Sequence, residues 1–157
     1  MQKIRRAEER DLERIAEIEA FCYRMNFYPI FRDDEFYFEE LKVSNLMRRR
    51  RDELSAMWVY DDGAVKGFVQ TAGREIRRLF VEPVLQGSGI GAALLEHAAG
   101  QGADDLWALE KNARAIAFYA RHGFCPTGEK KYEEGTEEYL IRLKRRLPTG
   151  KSPAKEI

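Results

Sequence analysis

Histidine and cysteine are nearly missing from this chain of 157 residues, which holds two of each: His97, His122, Cys22 and Cys125. So few ligands, at no metal-binding spacing, exclude a zinc or iron–sulfur centre, and two cysteines make no disulfide framework. Net charge is missing as well, because 27 basic residues balance 27 acidic ones. No global field then draws the chain to nucleic acid, and only a local patch would. No apolar run is long enough to cross a membrane and no signal pattern is recognisable. The expectation is a cytoplasmic protein without a membrane partner.

What is present is ordinary globular material, 44% hydrophobic and 34% charged, at a length that fits one domain with a substantial core. Strand and helix signals alternate without an internal repeat. Lys3 to Ala7 reads as a strand, and Leu12, Ile15, Ile18 and Cys22 recur near helical spacing between Glu8 and about Arg24. A second, less regular helix is expected from about Asp34 to Leu54. Asp62-Gly63 joins two strand runs as a hairpin, and Glu75 to Val81 is a third strand. A helix over Ile90 to Ala99, a strand over Leu106 to Leu109 and a helix over Asn112 to His122 follow. Tyr132 to Leu143 closes with a turn at Gly135 and a last strand. The class is α/β with a mixed sheet, followed by a polar tail at 148–157 that is expected to be disordered.

The stretch "VEPVLQGSGIGAALLEHAA", Val81 to Ala99, sets Gly87, Gly89 and Gly91 between a strand-like and a helix-like run. Glycines that free backbone N–H groups ahead of a helix N-terminus make an anion cradle. A nucleotide P-loop would need Lys and Ser or Thr after the last glycine, and Ala92 and Ala93 stand there. The dinucleotide fingerprint fits Gly87, Gly89 and Ala92 by spacing, with Asp104 or Asp105 at the ribose position, but Glu82 to Gln86 separate it from its strand. A glycine-rich turn without a ligand is the third reading.

Two motifs carry a resemblance. Gln86, Gly87, Ser88, Gly89, Ile90 and Gly91 match without a gap the signature turn of the GNAT superfamily of acyl-CoA-dependent N-acyltransferases. "NARAIAFYARHGF" matches that family's second pattern at Asn112, Ala115, Phe118, Tyr119, Gly123 and Phe124. The likeness covers about residues 3 to 145. It implies a single domain over 1–147 with a mixed central sheet of about six to seven strands and flanking helices.

The resemblance also implies a chemistry: an acetyl group moves from acetyl-CoA to a primary amine by direct attack, with no covalent intermediate and no metal. Backbone N–H groups from Gly87 to Ala92, including Ser88, Ile90 and Gly91, would hold the pyrophosphate of coenzyme A. Leu79, Phe80 and Val81 would pair with the pantetheine arm, and Asn112 would bind it from a later strand's end, with Ala115 and Phe118 completing that motif. The Leu79 N–H would polarise the thioester carbonyl, and Tyr119 would protonate the leaving thiolate. For the base, Glu75 and a water relay stand side by side, with Glu110 and Tyr60 behind them. The different reading is a catalytically silent acyl-CoA-binding sensor, which tight binding without turnover would reveal. The acceptor amine stays open, as does the choice between monomer and homodimer.

Two features are not absorbed by these motifs. Phe21, Tyr23, Phe27, Tyr28, Phe31, Phe36, Tyr37 and Phe38 crowd one segment with Asp33, Asp34, Glu39 and Glu40, either as the walls of an amine pocket or as packing. Arg48 to Arg51 read as a solvated helix end whose charges compensate the dipole, with an anionic partner as the alternative.

Overall fold

The computed structural model describes residues 3–146, so the tail expected at 148–157 lies outside the described residues. The chain falls into a compact unit up to Ala103 and a second from Asp104. The first holds β1 (Ile4–Arg6), α1 (Leu12–Asn26), α2 (Tyr28–Phe31), α3 (Val43–Arg50), β2 (Met57–Asp61), β3 (Val65–Ala72), β4 (Glu75–Val81) and α4 (Ile90–Gly100). Its strands lie in the order β1-β2-β3-β4, each antiparallel to the next.

The start of α1 is fixed by charge. The Glu8 N–H donates to Asp11 Oδ2 at 2.8 Å, and Arg5 forks onto both Asp11 oxygens at 2.8 and 2.9 Å while also reaching Asp61. One guanidinium thereby joins β1, the entry of α1 and the end of β2. Ile15, Ile18 and Cys22 then recur on one face of α1 and are buried against Met57, Val59, Val65 and Phe68. Each such side chain contributes roughly 1.5–3 kcal/mol by leaving water.

The helix expected over 34–54 is instead broken, and the break has a donor behind it. Arg24 on α1 donates to the carbonyls of Tyr37 and Leu41 at 3.0 and 2.8 Å, groups that a continuous helix would use itself. Residues Phe36–Glu40 form a single π turn, Lys42 is extended, and α3 starts afresh at Val43. The kink buries Tyr37, Leu41 and Leu46 with Ala16 and Ala20 of α1.

Gly67 on β3 is a close approach. A Cβ there would stand 3.0 Å from the Phe80 carbonyl oxygen and 3.1 and 3.3 Å from Leu94 and Ile90 of α4, so only glycine lets this helix lie on the strands.

The second unit holds β5 (Asp105–Leu109), α5 (Ala113–Arg121), β6 (Phe124–Tyr132) and β7 (Tyr139–Arg145), with β7 antiparallel between β5 and β6. The strand expected over Leu106 to Leu109 is β5, but after α5 the sequence reading begins strand structure only at Tyr132 and misses most of β6. Pro126, Gly128 and an irregular register between Pro126 and Lys130 hide it, and only Phe124 of the strand is buried. Proline and weak alternation are what an outer strand tolerates. Seven strands are described in all, within the expected six to seven.

Candidate active site

The pairing of β4 decides which backbone groups are available. The Glu82 N–H donates to the Lys66 carbonyl, and Phe80 and Arg78 follow at two-residue steps opposite Phe68 and Gln70. In an antiparallel ladder these alternate residues spend their N–H and C=O groups on the partner strand. Leu79 and Val81, between them, turn theirs away from β3. Leu79, proposed from sequence as the thioester donor, thus has an N–H outside that ladder. Phe80 has its backbone in the ladder and its ring on the α1 side, 5.3 Å from Tyr23 and 5.9 Å from Phe68 between ring centres. The Val81 carbonyl accepts the Cys22 thiol at 3.2 Å and the Gln86 amide at 3.4 Å, so Gln86 folds back onto the strand end. Burial pushes the Cys22 thiol up to about 12, and it is inert as a nucleophile at neutral pH.

Beyond Val81 the chain makes a short turn at Pro83–Leu85 and enters the glycines. Gly87 and Gly89 have φ of 89° and 91°, the left-handed region, and a Cβ on either would meet no atom within 4 Å. These two glycines are required by backbone conformation, and the space beside them is open. Ser88 Oγ donates to the Leu85 carbonyl, which braces the turn. Gly89 is the N-cap of α4 with no side-chain cap, and its carbonyl accepts from Ala93, the first intrahelical bond. The N–H groups of Ile90, Gly91 and Ala92 precede that bond and have no acceptor within the helix. Uncapped donors, a helix dipole and open space suit a pyrophosphate, so the residues fit coenzyme A.

Glu75 opens β4 opposite Ala72 and so shares the face of Gln70 and Phe68. Between it and Arg78 the register slips, because Thr71 pairs with Ile76 and Gln70 with Arg78, leaving Arg77 as the extra residue of a bulge.

Around Arg78 lies a partly buried ionic network that the sequence reading does not single out. Glu19 of α1 is 0% exposed, and its carboxylate accepts Arg50 Nε at 2.9 Å and Nη2 at 2.7 Å. Arg78 Nε stands 3.5 Å from Glu19 Oε2, and its Nη1 donates to Gln70 Oε1 at 2.7 Å. The ring closes through Gln70 Nε2 on Glu53 at 3.1 Å and Arg50 Nη1 on Glu53 at 3.4 Å. The only sequence signal was Glu19 within the apolar spacing of α1. Reading Arg48 to Arg51 as a solvated run holds for Arg48, Arg49 and Arg51, which are exposed, and is corrected at Arg50.

Most of the aromatic segment is packing. Tyr37 is buried, and Tyr23, Phe27, Tyr28, Phe31 and Phe36 pack on the α1–α3 cluster, whereas Phe21 and Phe38 are exposed. Asp33 accepts the Phe36 N–H, and Asp34 accepts the Tyr28 hydroxyl.

In the second unit Asn112 is the N-cap of α5, its side-chain oxygen accepting the Ala115 N–H at 3.2 Å. Tyr119 shares the helix face of Ala115, and its ring lies 5.2 Å from Phe118 and 6.0 Å from Phe124. Burial raises its phenol well above the ordinary range, so it is protonated at neutral pH. Glu110 is paired with Lys130 at 3.0 Å. Among the described residues no group of His, Cys, Asp and Glu is arranged to hold a metal, and no helix is long and apolar enough to cross a membrane.

Residues 53–126 match the family described as acetyltransferase (GNAT) domain. The peptidyl-lysine N-acetyltransferase YjaB of Salmonella typhimurium is 30% identical over 109 residues, which cover 63% of this chain and 75% of that protein. The solution structure of apo YjaB from Escherichia coli superposes with a TM-score of 0.70 at 24% identity, over 92% of this chain and 97% of that one. PaiA N-acetyltransferase from Thermoplasma acidophilum, solved in complex with coenzyme A, gives 0.62 at 20% identity over 92% and 99%. The chain belongs to the GNAT acetyltransferase family. Its α/β fold with seven strands and flanking helices is the family's, and membership makes it an acyltransferase with acetyl-CoA as co-substrate.

Proposed function

We propose that this protein acetylates a primary amine, the side chain of a peptide lysine, by direct attack of the amine on the thioester of acetyl-CoA. The observation that carries the reading is the run from the out-of-ladder N–H groups of Leu79 and Val81 to the uncapped start of α4 through Gly87 and Gly89. A strand with backbone N–H groups outside the β3 ladder suits the amides of pantetheine, and the turn after it suits the diphosphate. The lysine acceptor is supported by the activity of the YjaB relative.

In this mechanism the amine first gives up a proton to Glu75, directly or through water. The free amine then forms the nitrogen–carbon bond while the Leu79 N–H takes the carbonyl's growing negative charge. The carbon–sulfur bond breaks, the Tyr119 hydroxyl supplies the thiolate's proton, and the second proton that the nitrogen sheds as the amide forms returns through water to the Tyr119 phenolate. Ser88, Ile90, Gly91 and Ala92 serve the pyrophosphate through their N–H groups, while Asn112, Ala115 and Phe118 complete the coenzyme motif. The sequence expectations of a soluble cytoplasmic location and of a monomer or homodimer belong to this reading.

The test is release of free thiol from acetyl-CoA with lysine peptides, polyamines and free amino acids as competing acceptors. Turnover fastest on peptide lysine is expected. Coenzyme binding without turnover on any amine would replace the enzyme with the sensor. Gly89→Asp sets a carboxylate beside the pyrophosphate, and it is expected to abolish the thermal shift that coenzyme A produces without added metal.

A further inference from the structure

We propose that Glu19 and Gln70 fix the register of β4 through Arg78, which makes Arg78 a positioning residue that keeps the Leu79 N–H out of the β3 ladder. The proposal rests on the reading that this N–H receives the thioester carbonyl.

A buried carboxylate, guanidinium and amide, at Glu19, Arg50 and Gln70, joined by the partly exposed Arg78 and Glu53, are a poor source of stability, because well-packed apolar residues would serve as well. The best-attested use of such a network is to specify one register among several. β4 has that ambiguity built in. The bulge at Arg77 gives the strand one residue to spare, and carrying the bulge along the strand to Phe80 would set Arg77, not Arg78, opposite Gln70. Between the old and new bulge positions this slip of one residue reverses every alternation. Leu79 would then fall opposite Phe68 as a paired residue, with its N–H turned into β3. Phe80 would leave the face where its ring meets Tyr23 and Phe68.

Only the observed register satisfies two demands on the α1 face at once: an arginine at the Glu19 carboxylate, and an aromatic ring two residues later against Tyr23. The slipped register keeps an arginine, Arg77, but brings Leu79 to the ring's place. Replacing Arg78 by an apolar residue therefore tips the balance, since slipping returns a guanidinium to Gln70 and Glu19. Glu19 keeps Arg50 in either case, so the fold has no orphaned carboxylate.

Isotope-edited infrared spectra of bound acetyl-CoA carrying carbon-13 at its thioester carbonyl read this directly, beside kcat and coenzyme Kd. In the wild type the carbonyl stretch is expected to shift down on binding. Arg78→Met is expected to lose that shift and about tenfold or more in kcat, with coenzyme Kd changed much less. Adding Arg77→Ser removes the reward for slipping, so the double variant Arg77→Ser/Arg78→Met regains the shift and much of the rate, which no loss of packing explains. Gln70→Leu, a milder change for folding, moves the same two readouts in the direction of Arg78→Met.

A wild-type carbonyl that does not shift overturns the donor reading and this proposal with it. A shifted wild type with an equally shifted Arg78→Met or Gln70→Leu overturns the proposal alone. So does a double variant no better than Arg78→Met.

Discussion

The Glu19 carboxylate, fully buried in α1, is held in a two-bond fork by Arg50 of α3, at 2.9 Å from Nε and 2.7 Å from Nη2. Burial alone would lower the charge on that guanidinium, but the bonds to Glu19 more than offset it and hold Arg50 charged. Removing one partner strands the other in a dry interior. Glu19→Ala is expected to cost about 3–5 kcal/mol, and the paired apolar exchange Glu19→Leu/Arg50→Met far less. Urea unfolding midpoints at constant slope measure both, and equal losses in the two variants would contradict the account.

Gly67→Ala forces a methyl to within 3.0 Å of the Phe80 carbonyl oxygen, a backbone atom that cannot swing aside. Overpacking of this kind costs about 1–3 kcal/mol. Because the atoms in the way belong to β4 and α4, the two elements flanking the glycine turn, coenzyme affinity is expected to fall together with the melting temperature. A stable variant with wild-type affinity would mean that α4 can shift away freely.

His97 faces the Trp58 ring at 5.2 Å, and its Nε2 is buried with no hydrogen-bond partner among the described residues. Burial, and secondarily the nearby charge of Arg6, lower its pKa. The folded state therefore resists a proton that the unfolded chain accepts near pH ~6.5. The neutral side chain's contribution is intact above that pH and is lost as the pH falls through that value toward the depressed folded pKa. Melting temperatures from pH 8 to 5 are expected to drop less steeply in His97→Phe than in wild type. Parallel curves would assign acid sensitivity elsewhere.

How much of this was legible follows the physics of each signal. The glycine turn showed because left-handed backbone and an open helix start demand one residue type at fixed places, Gly87 and Gly89. The α5 motif showed for a similar reason, Asn112 being held by its cap. The break after Phe36 did not show, because its cause is Arg24, twelve residues upstream, taking two carbonyls across space. β6 was hidden by Pro126 and by having only Phe124 to bury. The Glu19–Arg50–Arg78 network was invisible because a charge on an apolar helix face declares its partners only once α3 and β4 have packed.

Tyr119→Phe keeps the ring against Phe118 and Phe124 and deletes one hydroxyl. As burial raises that phenol, it stays protonated well into alkaline solution and can donate throughout the working range. A fall of about a hundredfold in the single-turnover rate is expected, with coenzyme affinity nearly unchanged. Unaltered chemistry in that measurement would take the acid role from Tyr119.

Among the described residues β6 pairs only with β7, and along it Pro126 lacks a donor, the register is irregular, and Lys130 and Lys131 stand exposed over the rings of Tyr139 and Trp107. A second chain approaching that border meets a ladder with a missing rung, a kink and two like charges, and finds no long run of donors and acceptors to zip onto. In a crowded or concentrated solution this border is a built-in brake on strand-to-strand aggregation. Straightening it with Pro126→Val and Lys130→Thr would turn the same strand into an adhesive.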